Sequence, residues 1–323
     1  PDKPTDNPIA QTGFNLSTTA TPSPVQWSPR VGFNYDLRGD GKSQVRGGFG
    51  LFSGRTPYVW LSNQYGNTGI DFTRIGGIAQ TTRRFGETRA LILRLTYQAT
   101  DVFNVEVPVE EIDRQFRTYT LAGPSASVVG DTRDNPRDAR RGHFLSADLQ
   151  VSMRVLGGAQ FAKTFLQAAR YARLRRDLSL ALSARIGLAA TFGRSVPEEL
   201  PLPERFFAGG DYTIRGFSID TVGPQELGND GELYPTGGNG LLIGNAELRR
   251  DFGRSITLAA FLDLGNIYPV LGDVSLHDLR YSAGLGLRYR TPLGPLRVDW
   301  GVKLNPRPGE SGHRFHLTVG NAY

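Results

Sequence analysis

Near the C-terminus, apolar and polar residues trade places one at a time through three successive segments. Tyr281, Ala283, Leu285, Leu287 and Tyr289 alternate with Arg280, Ser282, Gly284, Gly286 and Arg288. Leu296, Val298, Trp300, Val302 and Leu304 then alternate with Arg297, Asp299, Gly301, Lys303 and Asn305. In the closing segment Phe315, Leu317, Val319 and Tyr323 share one face, opposite His316, Thr318, Gly320 and Ala322. A period of two puts one set on each side of a sheet. One side is aliphatic and aromatic; the other carries charges and glycines. A soluble sandwich would turn its apolar faces toward each other. Strands of about 10 residues with terminal aromatics and a charged inner face suit a barrel in lipid. The expected fold is all-β, a transmembrane antiparallel barrel of about 12 strands, an even number.

Composition agrees with that reading. Uninterrupted apolar stretches such as Tyr58–Leu61 and Ala90–Leu93 fall far short of the roughly 20 residues a spanning helix needs. Mean hydropathy is −0.31, as expected when only every second strand residue meets lipid. The 40 glycines suit turns, kinks and close backbone approach. With no cysteine, disulfides and thiolate metal sites are excluded. The net charge of +6 is spread over strand faces and turns, which argues against a nucleic-acid partner. Pro1 opens a polar stretch with no apolar signal segment.

Residues 1–27 read as a polar lead-in. Val31, Phe33, Tyr35 and Leu37, then Val45, Gly47, Phe49 and Leu51, flank an Asp40-Gly41 turn and predict a hairpin. Residues 55–88 are less regular, and a seam is expected near residue 80. Further strands are predicted at about 89–105, 118–132, 143–156, 159–174, 177–192, 238–251, 255–268, 278–291, 295–305 and 313–323. Residues 193–237 are the long interruption, expected to fold toward the lumen; long loops in compact proteins are commonly functional or disordered.

That loop and the strands beyond it carry a resemblance. Residues 206–217, FFAGGDYTIRGF, followed by Thr221-Val222-Gly223-Pro224, resemble the surface loop of the BamA/TamA outer-membrane assembly-factor superfamily, with its Arg-Gly-Phe at Arg215, Gly216 and Phe217. Phe261-x-Asp263-x-Gly265 resembles that family's strand motif, and Glu247 stands where its preceding strand has a glutamate. DTRDNPRDARRG at 131–142, YSAGLGLRYRTPLGPLRVDWG and the terminal FHLTVGNAY are similar to further family segments. Together these cover residues 81–323. Residues 28–80 instead resemble a barrel segment of Oar-like TonB-dependent receptors. The chain thus reads as a possible hybrid, a receptor-like segment at 1–80 and an assembly-factor-like barrel at 81–323, with neither POTRA domains nor a plug.

The resemblance implies insertion or translocation of outer-membrane proteins in a bacterial outer membrane, through a seam between first and last strands. The implied partners are outer-membrane lipid and lipopolysaccharide, client outer-membrane proteins and other assembly components. The alternatives are an uptake receptor fragment or a passive pore. The resemblance also implies that the Arg215 loop enters the lumen, and strand parity puts Asp263 and Glu247 on the lumen side. A guanidinium can bridge two carboxylates with charge-assisted bonds, so a structural Arg215–Asp263/Glu247 cluster is expected. Arg280, Arg288 and Arg297 either tune a pore or fill the interior beside Asp299. Phe315, Leu317, Val319 and Tyr323 form the C-terminal strand signal. No catalytic grouping and no cofactor motif is recognisable. His313 and His316 would face opposite sides of a strand, and His143 and His277 lie at turns without ligand partners.

Overall fold

The computed structural model describes residues 29–55, 71–103, 118–136, 138–154, 160–193, 200–201, 204–227, 233–253, 255–291 and 294–319. Thirteen strands form one antiparallel sheet. They are β1 (Arg30–Asp36), β2 (Ser43–Arg55), β3 (Asp71–Phe85), β4 (Arg89–Phe103), β5 (Thr118–Asp131), β6 (Gly142–Ser152), β7 (Phe161–Arg173) and β8 (Leu178–Thr191). After the long connection come β11 (Gly240–Phe252), β12 (Ile256–Tyr268), β13 (Arg280–Thr291), β14 (Gly294–Lys303) and β15 (His313–Val319). Within the connection, β9 (Gln225–Leu227) and β10 (Leu233–Pro235) pair as a separate hairpin. Each main strand pairs with its neighbour in sequence, and β8 pairs directly with β11.

Among the described residues the count is thirteen, one more than the roughly twelve that the sequence pattern predicts. The addition is β3, which runs unbroken across residue 80 where a seam is expected. Its outward positions include Gly77, Ala79, Thr81 and Arg83, so the apolar alternation that marks the other strands is blurred. Because the count is odd, β1 and β15 run in the same direction. Among the described residues each has one hydrogen-bonded neighbour, so they are the sheet's two edges. Phe49 lies on β2, between β1 and β3, and not at the edge.

Antiparallel order sorts the connections. The strand ends that flank 37–42, 86–88, 132–141, 174–177, 253–255 and 292–293 lie at one end of the sheet; those that flank 56–70, 104–117, 153–160, 192–239, 269–279 and 304–312 lie at the other. Outer-membrane barrels keep short turns on the periplasmic side and longer loops outside.

The sheet is inside-out relative to a soluble protein. Leu145, Leu149, Leu182, Leu258, Leu262, Leu285, Trp300, Phe315 and Leu317 are exposed on the outer face. An apolar surface this continuous would be an aggregation hazard in water and matches contact with lipid. No helix among the described residues is long and apolar enough to cross a membrane. On the inner face Ser183, Asn245, Arg249, Ser282, Arg288, Arg297 and His316 are buried, and Asp211, Thr213 and Gly216 of the long connection contact Arg297, Asn245, Ser282 and His316. The loop brings its own apolar core: Phe206, Ala208, Ile214, Phe217 and Val222 pack with Phe161, Leu241, Ile243 and Ile267. Val319 belongs to β15, but its side chain lies outside the described residues, as does the whole of Tyr323.

Candidate functional site: a loop bolted to the inner face

Arg215 stands at the tip of the inward loop, 1% exposed, over Glu247 on β11 and Asp263 on β12, both fully buried. Its Nε donates to Asp263 Oδ2 at 2.7 Å and its Nη2 to Asp263 Oδ1 at 2.8 Å, a two-pronged pair. Its backbone N–H donates to Asp263 Oδ2 as well, at 3.0 Å. Nη1 reaches Glu247 Oε2 at 2.5 Å. The planar fork of arginine suits this two-carboxylate geometry where a lysine would offer only a point charge.

The cluster is larger than the sequence pairing suggests. Arg249 Nε donates to Glu247 Oε1 and Arg288 Nη2 to Glu247 Oε2. Asp299 on β14 lies 3.0 Å from Arg297 Nε and 3.6 Å from Arg215 Nη1. Neither Asp299 oxygen has a hydrogen-bond donor among the described residues, so ion pairing alone holds it. Asn245 joins the two layers, donating to Asp263 Oδ1 and to the loop carbonyl of Thr213. Four buried guanidinium groups, from Arg215, Arg249, Arg288 and Arg297, thus face three buried carboxylates, from Glu247, Asp263 and Asp299.

Packing explains the neighbours of Arg215 in the chain. Its guanidinium carbon sits 3.5 Å from the centre of the Phe261 ring, a cation–π contact. That ring lies over Gly284, its cross-strand partner, where a Cβ would fall 2.4 Å from the ring edge. Gly216 has φ +90° and meets Gly301 of β14 backbone to backbone; a Cβ on Gly301 would lie 2.5 Å from Gly216 N. Phe217 is fully buried, with Arg280 and Lys303 each 4.8 Å from its ring centre. Gly265, the last motif residue on β12, faces Ile214 of the loop.

Sequence reasoning missed a second set of contacts, from the loop to the edge strand. Gly216 N–H donates to His316 Nε2 at 2.9 Å, Arg314 Nη1 donates to Ser218 Oγ at 2.7 Å, and Thr318 Oγ1 donates to Asp211 Oδ2. Arg314, His316 and Thr318 alternate along β15, so three successive inward positions hold the loop. The inward parity of His316 was legible, but nothing in the pattern said that a loop would lie against it. At the short-turn end a further ionic group closes the face: Arg140 and Arg290 both pair with Asp138 and Asp251.

This arrangement of charge, backbone contact and packing can lock a loop in place; it presents no nucleophile–base pairing. No grouping of metal-ligating side chains occurs among the described residues. One family model, the Omp85 superfamily domain, matches residues 12–323. The chain belongs to the Omp85 superfamily. That match runs through residues 28–80 as well, and the resemblance of this segment to TonB-dependent receptors finds no support in the comparisons. Among relatives, the outer membrane protein assembly factor BamA of Neisseria meningitidis is 27% identical over 180 residues, 46% of this chain and 22% of that protein. BamA of Neorickettsia risticii is 26% identical over 260 residues, 77% of this chain and 34% of that protein. The sheet superposes on the crystal structure of BamA from Haemophilus ducreyi lacking POTRA domains 1–3, with TM-score 0.71 and 15% identity over 91% of this chain and 62% of that one. CdiB from Acinetobacter baumannii gives TM-score 0.53 at 15% identity, over 91% of this chain and 50% of that one. This Omp85 chain therefore spans less than two thirds of each of these relatives.

Proposed function

We propose that this Omp85 barrel works in a bacterial outer membrane as an insertion or translocation barrel for other outer-membrane proteins. The observation that carries the reading is an inner loop bolted to the sheet beside β15, which with β1 forms the two sheet edges among the described residues. An unpaired edge is a ready template for an incoming strand. Such an edge in lipid leaves N–H and C=O groups unsatisfied, at several kcal/mol each, so it favours any strand that covers it. The Arg215 loop would hold β11, β12, β14 and β15 in register while that edge exchanges partners. Client outer-membrane proteins and other assembly components are the expected partners, with outer-membrane lipid and lipopolysaccharide as the surroundings. A passive pore is disfavoured because the loop occupies the inner face, and no observation favours an uptake receptor. The test is refolding of a urea-denatured barrel client into liposomes with and without this chain. Faster client folding that Arg215→Ala reduces supports the proposal. No acceleration, with steady conductance in a planar bilayer, would replace it with a pore.

A further inference from the structure

The outer face carries a feature that the loop and the edges do not use. A groove of about 630 Å³ crosses β5 to β8 toward the short-turn end. Its floor follows one cross-strand row, Arg89 to Gly130 to Leu145 to Ala168 to Ala184; Gly130, Ala168 and Ala184 are small, and the half-exposed Leu145 stands between them. Val128 and Ile186 stand one row away as walls, both exposed. Nothing lies within 4 Å of where a Cβ on Gly130 would be, so the groove is open at that point.

Its rim on the short-turn side is polar and basic. Arg89 stands at the end of the floor row on the outward parity of β4, and it is exposed. In the next row Thr132, His143 and Arg170 follow one another across β5, β6 and β7. Thr132 Oγ1 lies 3.0 Å from His143 Nδ1, which leaves the other ring nitrogen turned from this contact. Arg89 and Arg170 make no ion pair among the described residues, and neither does the nearby turn residue Glu87. Strand spacing and rise put the two arginines about 15 Å apart, a gap that two long side chains can close on a shared anion.

We propose that this groove binds one anionic glycerophospholipid, its acyl chain packed in the groove beside Leu145 and Ala168 and its phosphodiester between Arg89 and Arg170. The assignment rests on the outer-membrane placement above, because that placement covers the face with lipid and puts the short-turn end in the periplasmic leaflet. Three features select this occupant. The surface lining the groove is mostly apolar, which suits an acyl chain. The rim offers guanidinium groups, which recognise phosphate oxygens in pairs. Both cations lie on the short-turn side of the groove, where a lipid of that leaflet carries its headgroup.

The test uses the full chain in mild detergent, with native mass spectrometry after addition of phosphatidylglycerol, phosphatidylethanolamine or lipid A. One retained phosphatidylglycerol per chain is expected, held in preference to the zwitterionic lipid and to lipid A. Arg89→Gln with Arg170→Gln should weaken retention about tenfold or more, and Ala168→Leu should abolish it by filling the floor. Heat modifiability on gels confirms that each variant is folded. Equal retention of all three lipids, or retention unchanged in both variants, would overturn the proposal. Because the readout is lipid retention, its failure leaves the assembly reading standing, and loss of client folding leaves this site untouched.

Discussion

Arg215 contributes to the site through the charges it neutralises. Removing one member of a buried ion pair typically costs about 3–5 kcal/mol. Glu247 would keep Arg249 and Arg288, while Asp263 would lose its guanidinium partner. Most of the penalty in Arg215→Ala should therefore trace to Asp263, and Asp263→Asn combined with it should recover a large part. The check is a double-mutant cycle on urea unfolding in detergent; strict additivity would mean that the two do not act as a pair. Gly301→Ala probes the backbone contact instead. A methyl there would strike Gly216 N, and overpacking of this kind costs about 1–3 kcal/mol. With no native cysteine in the chain, Ser218→Cys is a clean reporter, and its maleimide labelling should speed up in the Gly301→Ala background. Asp220 gives a pH signature. It is the one non-glycine with positive φ among the described residues, at +62°, and burial raises its carboxyl from 3.8 to about 6. Between those values the folded chain keeps a proton that the unfolded chain has lost, so stability falls as pH rises from about 4 to about 6. Asp220→Asn keeps a side chain that tolerates this backbone. It should flatten that fall and raise stability at pH 7.5, by roughly 1–2 kcal/mol.

Strands and loops differ in how far their sequences disclosed them. Twelve of the thirteen main strands were legible because lipid outside and charge inside sharpen the alternation. β3 escaped because Thr81 and Arg83 occupy outward positions, where the pattern needs apolar residues. Parity alone placed Glu247 and Asp263 on the inner face, while the inward Arg215 loop came from the family resemblance. The wider network with Arg249, Arg288 and Asp299, and the three-point hold on β15, depend on which strands lie near one loop tip. That is a tertiary fact no single strand encodes. It makes its own prediction. Replacing Arg314 and Thr318 together, by Arg314→Gln and Thr318→Val, should leave β14–β15 pairing intact but remove two of the loop's three holds on the edge, leaving only Gly216 on His316. Hydrogen exchange at the loop amides, Gly216 above all, should accelerate, with little change in β6 and β7. Unchanged protection at Gly216 would mean that the loop does not depend on the edge strand.

The sheet as a unit has a parity. Its two edges, β1 and β15, both descend from the long-loop end toward the short-turn end. Joined directly they would form a parallel seam, the less stable kind of ladder. Cysteine pairs distinguish the cases, since in a parallel seam partners advance together: a crosslink of Val31→Cys to Phe315→Cys implies one of Phe33→Cys to Leu317→Cys. If neither these pairs nor their register-shifted neighbours form under oxidation, the edges are not joined directly. Counting then restricts what can join them. A single added strand can lie antiparallel to both edges at once, whereas two cannot without one parallel join. The thirteen described strands therefore close into an all-antiparallel circle only with an odd number of further strands, whether those come from this chain or from another.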